Sequence, residues 1–258
     1  MSSARRVAGI LGLGVMLGVG AAAILAQPAS ELRHTPRRLL RGVPRAAMTC
    51  PGTQPPLVTD LEVRQPPALA EPAARTPFRD PVFGSCLVRV SDRTHDLAPG
   101  DGSGGLKNEY SRVQAFNSDG TRLLLRGTAA TWYLYDARTL RPLAQLPLDV
   151  DPRWSATDPD LVYFSSGTRL MSHDVGTGQT AVVHDFAADL PGHDPVAVWT
   201  RYEGSPSRDG RWWGLMAQDQ GWRASAFLVH DLALGRITAS LDLRGWPAEA
   251  REIDSVTI

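Results

Sequence analysis

Short apolar runs separated by tight polar turns dominate the chain from residue 78 onward. Leu123-Leu124-Leu125, Trp132-Tyr133-Leu134-Tyr135, Leu161-Val162-Tyr163-Phe164, Leu215-Met216 and Phe227-Leu228-Val229 are each too short for a buried helix. Bounded by Asp-Gly and Gly turns, they predict strands of four to six residues joined as hairpins. Three segments share one plan: a polar turn, an apolar strand, and a second strand closing on Asp136, Asp174 or Asp231. Their first turn aspartates, Asp119, Asp158 and Asp209, stand 39 and 51 residues apart, and the closing aspartates follow by 17, 16 and 22 residues. Residues 218–223 account for the longer third interval as a hairpin insertion. After each closing aspartate comes another turn, Asp174–Gly178 or Asp231–Gly235, matched by Asp80–Gly84 near the start of this region. In the first unit Leu140 replaces the glycine. An Asp carboxylate accepts from backbone amides two residues on, and Gly takes positive φ without strain. These aspartates therefore read as structural.

A four-stranded unit of this length repeated along a chain is a β-propeller blade. The expected fold is all-β: about four four-stranded antiparallel blades, forming an incomplete ring over residues 78–258. Residues 78–90 supply only the outer hairpin of the first blade. Residues 253–258 fall where a further inner strand would begin, and the chain stops before its Asp-Gly turn. An open array of this kind leaves an edge to be covered.

Composition divides the chain at the same place. All 18 aromatic residues lie at or after Phe78, whereas ten of the 20 prolines fall between Pro28 and Pro77. Residues 28–77 read as a disordered Pro-rich spacer. Residues 1–77 carry 9 Arg against 4 acids, and residues 78–258 carry 18 Lys+Arg against 23 acids, so the whole is neutral and a basic nucleic-acid binder is excluded. Lys107 is the only lysine; so uniform a bias argues against reading meaning into any single Arg-over-Lys choice. Arg5 and Arg6 precede an uncharged apolar run over residues 7–26. Residues 1–27 are thus expected to be a signal peptide or membrane-anchoring helix. The expected location is periplasmic or extracellular, or on the membrane with the blades outside, and membrane contact is confined to the N-terminal segment. In an oxidising compartment the only two cysteines, Cys50 and Cys86, could pair and staple the spacer to the blades.

The Ser-x-Asp-Gly turn, the apolar strand closing on Asp, and the Asp-x-x-x-Gly hairpin resemble bacterial propellers of the TolB and WD40-like kind. More distantly, Asp80–Val90 and the later repeats resemble blades of oligogalacturonate lyases. The resemblance covers roughly residues 78–258 and implies blades rather than a chemistry.

In a propeller the inner strands and the loops entering them line a channel and its mouth. Polar and aromatic residues concentrate at those points: Glu109, Tyr110 and Arg112 in the first unit; Asp151 and Arg153 in the second; Trp199, Arg201, Tyr202 and Glu203 in the third. Aromatic planes beside Arg and Glu suit a sugar acid or polyol. The same charges could equally neutralise one another and hydrate a channel. Two functions are carried forward: a binding or scaffold module for an extracytoplasmic ligand or protein partner, and a polyuronate lyase or other glycan-active enzyme using Arg112, Arg153 and Arg201 against substrate carboxylates. No catalytic residue is singled out and no cofactor is called for. His173 and His230 sit at strand ends and read as packing residues; His95 and His193-Asp194 are weak metal candidates. The Gly100–Gly105 run lacks the Lys and helix of a phosphate loop. No Gly-x-Ser-x-Gly elbow occurs, and with no CxxC a structural zinc site is not expected.

Overall fold

The computed structural model describes residues 49–257 except Gln54. The apolar segment 1–27 and the first part of the spacer lie outside the described residues. Among the described residues no helix is long and apolar enough to cross a membrane.

Among the described residues fourteen strands form one hairpin and three four-stranded antiparallel meanders. Blade 1 is the pair β1 (Pro77–Arg79) and β2 (Cys86–Val88). Blade 2 runs β3 (Leu106–Lys107), β4 (Arg122–Gly127), β5 (Trp132–Asp136) and β6 (Pro142–Leu146). Blade 3 runs β7 (Val150–Trp154), β8 (Leu161–Ser166), β9 (Arg169–Asp174) and β10 (Thr180–Asp185). Blade 4 runs β11 (Ala197–Trp199), β12 (Trp212–Gln218), β13 (Ala224–Asp231) and β14 (Arg236–Asp242). The expected partition into an outer hairpin and three full units is the one observed.

Both faces of the middle strands are buried, because each sheet is sandwiched between neighbours. Alternation along a strand decides which neighbour a side chain meets. Leu123, Leu125, Tyr133 and Tyr135 pack towards Val90 and Leu97, on the blade 1 side. Leu124, Trp132 and Leu134 point the other way and meet Trp154, Val162 and Phe164 of blade 3. Between blades 3 and 4 lie Leu170, Phe186, Val198, Trp213, Leu215 and Leu228. Among the described residues the far face of blade 4 is covered by residues 253–256: Ile253 and Val256 pack on Met216, Ala224 and Leu243.

That segment departs from the expectation. Residues 253–257 form no strand, and among the described residues blade 4 pairs with no strand of blade 1. The segment lies beside its own blade, where the Val256 amide donates to the Thr200 carbonyl at 3.2 Å. Gly204 makes this approach feasible, since a Cβ there would overlap the Val256 carbonyl oxygen and stand 2.9 Å from that of Thr200.

The turn chemistry follows the sequence. The Asp119 carboxylate accepts from the Thr121 amide at 3.0 Å, and Asp174 accepts from the Gly176 and Thr177 amides at 2.8 Å each. Asp136 holds the Arg138 and Thr139 amides at 3.1 and 2.7 Å. Leu140 occupies the left-handed position at φ 54°, as Gly178 does at 76° and Gly235 at 61°. A leucine there costs about 1 kcal/mol of backbone strain, offset by its burial.

The spacer joins the blades before its expected end at residue 77. Cys50 and Cys86 form a disulfide with Cα atoms 5.5 Å apart. Arg75 donates to the Leu140 carbonyl at 2.8 Å and pairs with Asp96, while Glu71 pairs with Arg89 and Arg93. These anchors are single charged residues within a Pro-rich composition, so no periodicity marks them.

Candidate functional site

Residues picked from three separate repeats come together where the inner strands of blades 2, 3 and 4 meet. At the centre is Arg153 on β7, 4% exposed. Its Nε donates to Gly204 O at 2.8 Å, one terminal nitrogen to Glu109 Oε2 and Pro152 O at 2.7 and 2.8 Å, and the other to Thr200 Oγ1 and Tyr202 O at 3.3 and 2.7 Å. All five N–H groups of the guanidinium are thereby engaged. Asp151, also buried, accepts from Thr200 Oγ1 and the Tyr202 amide, each at 3.0 Å. Together Arg153 and Asp151 clasp the turn that follows β11.

The clasp holds backbone in a costly conformation. Asp151, Arg201 and Tyr202 have φ of 53°, 54° and 66°. Three non-glycine residues in the left-handed region within one cluster persist only where surrounding bonds over-determine them, and such clusters mark functional sites. The same φ values stop β11 at Trp199, so of the expected inner stretch 199–203 only Trp199 is strand and residues 201–203 are turn. The first expected inner strand is shorter still, ending at Lys107, after which the Asn108 side chain donates through Nδ2 to Tyr110 O at 2.9 Å where the chain turns. Only the second, Val150–Trp154, is a full strand, and its pairing with β8 is interrupted by a bulge at Asp151.

Glu109 belongs to the clasp as well. Burial pushes its carboxyl up to about 7, against the opposing pull of the Arg153 guanidinium. Arg112, 76% exposed, reaches Glu203 at 3.2 Å. The Tyr110 hydroxyl is raised chiefly by its hydrogen bond to the Glu203 carboxylate. Glu109, Asp151 and Arg153 are thus internal, while Tyr110, Arg112, Arg201 and Tyr202 retain exposure. The proposed direct contact of Arg153 with a ligand carboxylate finds no free donor.

Next to the turn lies a cleft of about 570 Å3, lined by Trp199, Tyr202, Trp222, Arg201, Gln218 and Asp149, among others. Trp199 forms its floor, with ring centroids 5.1 Å from Tyr202 and 6.3 Å from Trp222 and interplanar angles of 64° and 59°. The Trp199 indole N–H donates to Gln218 Oε1 at 2.6 Å, and Gln218 Nε2 donates to Trp222 O at 2.6 Å. One buried amide therefore fixes both the floor and the turn bearing Trp222. The walls are also tied to residues 248–256, since Arg251 pairs with Asp219 beside Trp222 and Arg201 donates to Ile253 O. Trp222 and Gln218 were not among the candidate residues. The available signal was the 218–223 insertion, which carries a tryptophan at a turn.

The histidines lie elsewhere. His173 is buried with Nδ1 2.8 Å from Thr180 Oγ1, and His230 packs edge-on to Phe186 at 5.2 Å. Burial depresses the His230 imidazole to about 4, and both its ring nitrogens lack a hydrogen-bond partner. His95 pairs with Asp92 at 2.9 Å on the surface. Among the described residues no three His, Cys, Asp or Glu side chains cluster as a metal site.

The repeated four-stranded meanders define a protein of β-propeller-like blades. No protein-family model and no curated protein matches the chain. Among solved structures, it is similar to an oligogalacturonate lyase in complex with manganese (17% identity, TM-score 0.43, 63% of this chain and 45% of that one). It is also similar to oligogalacturonate lyase from Vibrio parahaemolyticus (16%, TM-score 0.42, 63% and 45%) and to Kuenenia stuttgartiensis hydrazine synthase (14%, TM-score 0.34, 49% and 35%). The chain spans less than half the length of each.

Proposed function

We propose that the protein is a binding module on propeller-type blades, with its ligand seat in the cleft between Tyr202 and Trp222. The observation that carries this reading is the strained Arg201–Tyr202 turn, which the buried Arg153–Asp151 clasp holds against an aromatic-lined cavity. Placing rigid aromatic side chains on a fixed turn lowers the entropy lost on binding. We place the module outside the cytoplasm; the apolar N-terminal segment of the sequence and the Cys50–Cys86 disulfide support an oxidising compartment. The resemblance to exported TolB and WD40-like propellers is in keeping with that setting.

The lyase reading has less support, because Arg153 is fully engaged and only Arg112 and Arg201 could face substrate carboxylates. A metal-dependent gain in ultraviolet absorbance on incubation with polyuronates would favour it instead. The binding reading is tested by tryptophan fluorescence during titration with uronates, polyols and small zwitterions. A saturable change that is lost in Trp222→Ala is expected. No change with any compound would refute a small-molecule seat in this cleft.

A further inference from the structure

The cleft's polar groups point to one class of ligand, an inference that rests on the binding reading above. Most of them are turned inward. The Trp199 N–H is held by Gln218, and both ends of the Gln218 amide are engaged. The Asp149 main-chain oxygen accepts from the Trp132 indole at 2.7 Å, and one of its carboxylate oxygens accepts from Ser166 Oγ at 2.9 Å. A sugar brings several hydroxyls, and each one buried without a partner costs about 1–3 kcal/mol. This cleft offers few partners for them. What it does present is the Trp199 ring with those of Tyr202 and Trp222 inclined to it by 64° and 59°, and Val150, Val196 and Ala197 also in the lining. Steeply tilted ring faces suit a rounded cation better than a flat pyranose, because each face carries the negative part of the ring quadrupole. The Asp149 carboxylate adds charge of the same sign. Arg201 lines the same cleft with one terminal nitrogen on Ile253 O, and its guanidinium is the positive charge in the lining.

We propose that the cleft binds a small quaternary ammonium compound that also carries a carboxylate, a betaine-type zwitterion. The methylated ammonium sits among Trp199, Tyr202 and Trp222 with Asp149 at its edge, and the carboxylate meets Arg201.

The test is calorimetric titration of the full chain with glycine betaine, choline, glycine and galacturonate. Glycine betaine should bind at one site. Choline, lacking the carboxylate, should bind about tenfold more weakly, and glycine, lacking the methyl groups, should show no binding. Trp222→Ala should weaken betaine at least about tenfold; Trp222 is 59% exposed, so the fold does not depend on it. Arg201→Gln should weaken betaine while leaving choline unchanged, a split that misfolding would not produce. Galacturonate binding without betaine binding would overturn this inference and leave the binding reading standing. Equal affinity for betaine and glycine would also overturn it. Failure of all four ligands here, together with an unresponsive fluorescence titration, would overturn both.

Discussion

Replacing Arg153 by methionine should cost about 4 kcal/mol of stability. The methionine keeps much of the apolar stem but removes the charge that pairs with Glu109 and the donors that serve Gly204, Pro152, Thr200 and Tyr202. Each buried acceptor left without its donor costs about 1–3 kcal/mol, and the Gly204, Pro152 and Tyr202 carbonyls and Thr200 Oγ1 all lose one. The Glu109 carboxyl, 7% exposed, titrates near 7 even with Arg153 in place, so it takes up a proton once the guanidinium is gone and adds little as a bare charge. The turn at Arg201 and Tyr202 then also loses part of what holds its left-handed backbone, worth about 1–2 kcal/mol per residue. Urea unfolding followed by tryptophan fluorescence measures the loss. Hydrogen exchange of the Tyr202 amide, held by Asp151 at 3.0 Å, reports whether the turn has loosened. Because lost donors and not a bare charge carry the cost, Glu109→Gln should raise the stability of Arg153→Met by about as much as it raises that of the wild type at the same pH. A single-variant loss under about 1 kcal/mol, or a far larger gain from Glu109→Gln in the variant than in the wild type, would refute the clasp as described.

Glu109→Gln alone should change the pH dependence of stability. The folded carboxyl titrates near 7 against an ordinary 4.5, so the folded state holds its proton longer. Wild-type stability relative to the variant is then full below 4.5 and falls by about 3 kcal/mol as pH rises through 7; unfolding curves at pH 4.5 and 8 check it, and a flat difference would exclude it. His230→Phe should show the opposite slope, since its folded imidazole titrates near 4 against 6.5. Relative to this variant the wild type should lose about 3 kcal/mol as pH falls from 6.5 to 4. At pH 7 the variant should be about 1–2 kcal/mol more stable, with two unpartnered buried nitrogens removed. The Cys50–Cys86 disulfide closes a separation of 36 residues, for which loop entropy predicts a contribution of about 4 kcal/mol. Reduction should open residues 51–76 to protease before blades 2 to 4, and equal resistance with and without reductant would count against this.

Blade number, strand pairing and turn identity were legible because they are local. Short continuous apolar runs and an Asp or Gly at fixed offsets constrain only a few neighbouring residues, and the chain repeats them. Even the exception at Leu140 was visible, as a leucine in a glycine position. That residues 109–112, 149–154 and 199–203 would converge could be read from their equivalent places in successive repeats. Their roles could not. Whether Arg153 faces a ligand or the protein depends on the carbonyls of residues some fifty positions away, and no short-range pattern encodes that distance. The aromatic cleft likewise needed the tertiary fold, since it joins Trp199 on β11 to Trp222 on a turn between two other strands. Residues 253–258 read as the start of another strand because they fall where the repeat would place one. Backbone pairing is decided by what lies beside a segment, and here Gly204 leaves room for it against the blade's own inner turn.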